Sequence, residues 1–251
     1  GGSPDQNLYL IDGVPLYNVD HTLGILSIFT PESVKKVDLY KSSFPARYGG
    51  RLSSVIDVRT NDGDMRNYHG SLTIGLLTSR MHFEGPLWKD RTSFIISARR
   101  SYADLIIKPF MDKDTKGGYY LYDINTKLNH RFSDRDRLFF SFYHGKDHAS
   151  FTNTSSYYFE EEKETDTRER QVMAWGSTLG ALRWNHIVSN RLFHNITLSY
   201  NRFRFNIKNN FTSANKHLDS QYYSGIEDWG LTSDFDFHPS PSHFIKFGGN
   251  Y

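Results

Sequence analysis

The 251-residue chain contains no cysteine, which excludes disulfides and thiolate metal sites. It has no run of the ~18 apolar residues that a membrane-crossing helix needs, and its mean hydropathy is −0.60. Neither fact speaks against a membrane crossed by strands, because such a strand needs only about 10 residues and turns only alternate ones to lipid. No charge of one sign dominates: 30 Lys and Arg against 28 Asp and Glu leave +2, and no basic stretch suits a nucleic acid. A nucleophile elbow, a phosphate loop and a zinc-helix motif are all missing. The chain is therefore not expected to be an enzyme or to carry a cofactor. It has no initiator Met and no signal peptide, opens in "GGSPDQN" and stops at Tyr251 inside a strand-like stretch. It reads as an internal piece of a longer protein.

What is abundant is aromatic: 19 Phe and 16 Tyr, a composition that favours strands. Residues 1–65 read as a small mixed α/β unit. "LYLIDGVPL" (Leu8–Leu16) is a strand broken by a turn at Asp12-Gly13, followed by Pro15. Thr30 and Pro31 offer an N-cap and first position for a short helix. "VKKVDLYKS" and "SSVIDVRT" give two further strands.

Residues 66–251 read differently. "HGSLTIGLLTSRMHF" places Leu72, Ile74 and Leu76 on one face. "RTSFIISARRSY" sets Phe94, Ile96 and Ala98 against Ser93, Ser97 and Arg99. "YLYDINTKLNHRF" sets Tyr122, Ile124 and Leu128 against Asp123, Asn125 and Lys127. Leu138, Phe140 and Phe142, then Leu192, Ile196 and Leu198, then Trp229, Leu231 and Phe235 continue the pattern, and eight such strands are counted. The stretch at 171–187 is less clean because Gly and Ala fall on both faces. Short turns near Pro86, Ser133, Ser189 and Pro239 alternate with long polar loops at about 105–118, 147–170 and 207–221. A soluble sandwich also alternates, but its strands average about 5–6 residues. Length, a charged polar face and alternating loops predict an outer-membrane barrel with short periplasmic turns, long external loops and a polar lumen.

The first 65 residues resemble the C-terminal half of the plug of a TonB-dependent outer-membrane receptor, of the Bacteroidetes type. "LYLIDGVPL" resembles one plug strand and its turn, and "PESVKKVDLYKSSFPARYGGRLSSVIDVRT" a later plug motif. The resemblance implies an all-β barrel of about 22 strands around a folded plug, with this chain holding about eight of the strands. It implies energised uptake of a scarce ligand, such as a siderophore, corrinoid, glycan or peptide, across the bacterial outer membrane. The implied partners are outer-membrane lipid, a TonB-type energising complex in the periplasm whose contact segment lies ahead of Gly1, and a small or oligomeric ligand. A surface lipoprotein partner belongs to the glycan-importing subclass, but "FPARYGG" departs from the Ala-rich stretch usual there. An adhesin, a receptor that signals without transport and a barrel enzyme are the alternatives, and the plug motifs favour uptake.

Several residues invite a role. Asp12-Gly13 and Tyr48-Gly49-Gly50 are turns first, since Gly supplies positive φ. Arg47 and Arg51 either pair with lumen carboxylates such as Asp123, Asp234 and Asp236 or are solvated. Tyr157, Tyr158, Glu160, Glu161 and Glu162 sit in the longest expected loop and either meet a ligand or are solvated. His144 and His148 lack further ligands for a metal.

Overall fold

The computed structural model describes residues 6–21, 26–41, 44–50, 53–112, 114–159, 162–214 and 216–251. Two sheets dominate. The smaller has the order β2-β1-β6-β5, built from β1 (Asn7–Ile11), β2 (Val14–Pro15), β5 (Val34–Lys41) and β6 (Ser54–Thr60). Its centre is a parallel pair, with Asn7 opposite Ser54 and Ile11 opposite Val58. β1 and β2 form a two-residue hairpin at Asp12 (φ 52°) and Gly13 (φ 85°). Two consecutive left-handed residues match the right-handed twist of the flanking strands, which is why Asp-Gly serves here. A short ladder pairs β3 (Asp20–His21) with β4 (Leu26–Ser27). The expected helix is a single 3-10 turn, Pro31–Ser33, after Thr30.

The larger sheet is a continuous antiparallel meander of nine strands. They are β7 (His69–Ile74), β8 (Thr78–Trp88), β9 (Thr92–Ser101), β10 (Thr115–Arg131), β11 (Asp136–Phe159), β12 (Glu162–Ser189), β13 (Leu192–Ser213), β14 (Lys216–Ser240) and β15 (His243–Asn250). Nine replaces the eight read from the sequence. "HGSLTIGLLTSRMHF" is a hairpin, not one strand: it reverses after Ile74, where the Gly75 amide bonds the Thr78 carbonyl. Leu76 keeps the alternation going through the turn, so periodicity alone hides the break.

Two of the three expected loops are also corrected. Residues 147–170 and 207–221 are mostly strand, extending β11–β12 and β13–β14 as two-stranded ribbons. Their polar side chains pair across the strands: Ser156 donates to Asp166 at 2.7 Å and Asn210 to Asp219 at 2.6 Å. With few apolar residues, among them Phe151 and Leu218, and no regular alternation, such ribbons carry no amphipathic signature. The third connection holds α1 (Ala103–Ile107) and a 3-10 turn, Lys108–Phe110.

The predicted outward faces are as expected. Leu72, Ile74, Phe140, Leu198 and Trp229 are all exposed, whereas Ser93, Ser97, Asp123, Lys127 and Ser141 are buried. The inner face carries more than polar groups. Ile11, Val14, Leu16 and Ile28 of the small unit pack with Tyr143, Leu179 and Ala181 of the wall in one buried cluster. Leu179 explains the irregular pattern of β12: an apolar residue faces inward because the small sheet lies against it.

Candidate functional site

The small sheet meets the wall through buried ionic clusters, and the first is built on Asp12. Its carboxylate accepts from the Thr60 amide at 3.0 Å and the Thr60 hydroxyl at 2.6 Å. From the wall, the Ser141 hydroxyl donates at 2.9 Å and the Lys127 ammonium stands at 3.2 Å. Lys127 is itself buried, and it also meets Asp62 at 2.9 Å and the Thr60 carbonyl at 3.1 Å. Burial alone would raise the Asp12 carboxyl, but Lys127, the Thr60 bonds and Arg183 hold it below the ordinary value. The hairpin that presents Asp12 is closed by the neighbouring Asp57, whose carboxylate takes the Gly13 amide at 3.2 Å and Arg59 at 2.8 Å.

The second cluster is built on His21 of β3. One ring nitrogen lies 2.6 Å from Asp123 and the other 2.6 Å from Asp147, and all three side chains are fully buried. An imidazole that meets a carboxylate on both sides donates twice, so it is the imidazolium. Burial opposes that charge, but the two carboxylates raise its pKa to about 9. Arg99 adds a bond to Asp123 at 2.7 Å and one to the Ser27 carbonyl at 2.7 Å. Tyr143 donates to Asp123 at 3.0 Å, and Tyr119 donates to Asp147. Among the described residues, the cations His21 and Arg99 thus face the anions Asp123 and Asp147. Single links extend the interface: Asn201 donates to the Pro15 carbonyl, and Tyr17 to Asp228.

The "FPARYGG" turn sits at a third point. Arg47 lies 3.1 Å from Asp234, both partly exposed, and its guanidinium covers the Tyr48 ring at 5.3 Å. Tyr48 donates to Asp57 at 3.4 Å, and burial with the nearby Asp57 charge pushes its phenol well up. Gly50 has φ 81°; Gly49 does not enter that region. Arg51 lies outside the described residues. Asp123 is engaged by His21 and Arg99, not by Arg47, and Asp236 meets Lys246 at 3.4 Å. Tyr157 and Tyr158 lie at the end of β11 and Glu162 begins β12, while Glu160 and Glu161 lie outside the described residues. Among the described residues no three His, Asp or Glu gather as a metal site.

Sequence reasoning does not single out His21, Arg99, Lys127, Asp147, Ser141 or Arg183. Lys127 and Arg99 are legible as inward-facing positions in their strands. His21 lies in a stretch without periodicity, and Asp147 in one that reads as loop, so neither carries a signal.

Residues 1–55 match the family described as TonB-dependent Receptor Plug Domain. No curated protein matches the chain. Among solved structures, the chain is similar to P. aeruginosa FpvA bound to a heterologous pyoverdine, with 11% identity and a TM-score of 0.53, covering 97% of this chain and 44% of that one. It is also similar to the ferric yersiniabactin uptake receptor FyuA of Yersinia pestis, at 15% identity, TM-score 0.48, and 98% and 47% coverage. The siderophore receptor PirA of Acinetobacter baumannii gives 14% identity, TM-score 0.44, and 97% and 52% coverage. The chain thus spans about half the length of the solved structures it matches.

Proposed function

We propose that this chain, a TonB-dependent receptor of the bacterial outer membrane, serves energised uptake of a scarce ligand. In this reading residues 1–65 are plug and residues 66–251 the first strands of the barrel. A ligand such as a siderophore, corrinoid, glycan or peptide binds on the outer side, where the β11–β12 ribbon carries Tyr157, Tyr158 and Glu162. A TonB-type complex in the periplasm then drives the plug to rearrange. The FpvA structure holds a pyoverdine–iron complex, and ferric complexes of that kind head the list of ligands to try here.

The observation that carries this reading is the make-up of the plug–wall interface. Beside the apolar cluster around Leu179, it is stitched by the buried pairs Asp12–Lys127, His21–Asp123 and His21–Asp147. Buried ion pairs fix geometry specifically while adding little net stability, because desolvation offsets most of the Coulomb gain. An interface of this kind holds a plug in one place and still lets it be moved. Arg47 and Asp234 add a rim link that serves the same end, as a point of plug attachment.

The test is uptake by cells expressing the full-length receptor, with and without the energising complex. A panel of radiolabelled ferric siderophores, cobalamin, oligosaccharides and peptides would be offered. Accumulation of one ligand only in energised cells is expected. Surface binding without energy-dependent accumulation of any panel ligand would refute the reading in favour of a receptor that does not transport.

A further inference from the structure

The face of the wall turned away from the plug carries a cleft of about 290 Å³ where β11 to β14 run side by side. Register decides which face this is. Asp123, Lys127, Ser141, Asp147 and Asn201 reach the plug, all odd-numbered on β10, β11 and β13. On β12 the odd-numbered Leu179 and Ala181 do the same. The even-numbered Lys146, Gly176, Arg202 and Arg204 that line the cleft therefore point the other way, toward the membrane.

One cross-strand row reads Lys146, Gly176, Arg204, Gly225. A Cβ on Gly176 would fall 2.3 Å from the Gly145 carbonyl oxygen, so this position must stay bare. Ala174 and Thr178 flank it on the same face and complete a floor of small residues. Neighbouring strands are about 4.8 Å apart, so Lys146 and Arg204 stand on the order of 10 Å apart at their Cα atoms. Arg202 joins Arg204 on the same side, one step down the strand. That span fits one tetrahedral anion held between side chains.

The three cations form no ion pair among the described residues. Glu227 lies opposite Arg202 in register but accepts from the Tyr200 hydroxyl at 3.1 Å. Arg204 stands over the Tyr223 ring at 5.9 Å. Asn206 accepts from Gln221 at 3.0 Å, which leaves its amide nitrogen as a further donor at the rim.

Next to the cleft, the same face becomes apolar. The adjoining row is Phe142, Gly180, Tyr200 and Trp229, and the row beyond is Phe140, Leu182, Leu198 and Leu231. Aromatic residues mark the edge of the lipid-facing band in such barrels, and the cations stand just past that edge. A ligand seated here has an anionic head over Gly176 and hydrocarbon against Leu198 and Leu231. We propose that this cleft binds the phosphate headgroup of a net-anionic lipid, not of a zwitterionic one, in the outward-facing leaflet.

The test uses the full-length receptor in phosphatidylcholine nanodiscs with spin-labelled phosphatidic acid or spin-labelled phosphatidylcholine as probe. Electron paramagnetic resonance reads the fraction of label immobilised at the protein. A cation near an anionic lipid surface contributes roughly fivefold, so a preference for the acid of at least about tenfold is expected. The triple variant Lys146→Gln, Arg202→Gln, Arg204→Gln should bring the ratio close to one while keeping its heat-modifiable gel mobility. If that variant fails to fold, Arg204→Gln alone should still lose about fivefold. No preference in the wild type, or one that the variants retain, overturns the proposal. Complete displacement of the labelled acid by millimolar inorganic phosphate also overturns it, because the site would then take a soluble anion. Uptake is not read in this assay, so failure of the transport reading would leave its result standing.

Discussion

Raising the pH should loosen the plug, because one of its clamps works only while His21 is charged. The pKa of His21 is raised from an ordinary 6.5 to about 9. A group whose pKa is raised on docking contributes its full stabilisation below the undocked value and loses it as pH climbs through the docked one. The contribution is therefore complete below about pH 6.5, declines above it and is gone beyond about pH 9. At roughly 1.4 kcal/mol for each tenfold gain in proton affinity, this amounts to about 3 kcal/mol. Full burial of His21, with 1% exposure, keeps solvent from screening it. The cause is electrostatic: Asp123 and Asp147 each lie 2.6 Å from a ring nitrogen of His21, so a neutral imidazole removes an attraction that both buried carboxylates share. The measurement is a urea titration of the full-length receptor at pH 6 to 9.5, read by a fluorophore on a cysteine placed at the exposed Lys41. Wild type should lose about 3 kcal/mol of plug stability across that range. His21→Gln should start about 3–5 kcal/mol lower, the usual result of breaking a buried pair, and show a flat response there. A wild-type plug indifferent to pH between 6.5 and 9, or an equal slope in the variant, would refute the reasoning.

The other predictions address the remaining contacts. Asp12→Asn keeps the shape of the turn but strips Lys127 of a buried counter-charge, and should cost about 3–5 kcal/mol of plug stability in the same titration. Arg47→Ala should cost at most about 1 kcal/mol, since its pair with Asp234 is partly exposed; a loss above about 2 kcal/mol would make Arg47 a principal anchor instead. Leu198→Arg on the apolar face should lower barrel stability by roughly 2–4 kcal/mol near the bilayer midplane, whereas Ser199→Arg on the inner face should be tolerated. Equal losses in a lipid-vesicle folding titration would mean the two faces are assigned wrongly.

The wall is legible in the sequence wherever one face is apolar and exposed and the other is polar and buried. Phe94, Ile96 and Ala98 alternate with Ser93, Ser97 and Arg99, and the structure places them on opposite faces as expected. Legibility fails where both faces are alike. The ribbons of β11–β12 and β13–β14 carry few apolar residues, without regular alternation, and read as loops. The hairpin at Gly75 is hidden because Leu76 mimics a continuing strand. The plug–wall clusters are the least legible part, since their partners come from distant segments. His21 and Asp147 are 126 residues apart, and Asp12 and Ser141 are 129 apart. Nothing local in either stretch requires the other. Only Asp12-Gly13 stands out, and it does so as a turn.

The parallel pairing of β1 with β6 has a mechanical meaning. A pull on the chain ahead of Asn7 acts on one end of β1. Its neighbour β6 is tethered at the opposite end, where Thr60 leads on toward the wall. The load then runs along the strands, so the ladder from Asn7–Ser54 to Ile11–Val58 must slide as a unit instead of opening one bond at a time. The Asp12–Thr60–Lys127 knot sits at the far end of that ladder from the point of traction. Tension reaches it last. The small sheet is thus tied like a rope under shear with its knot at the anchored end, and it yields abruptly rather than gradually.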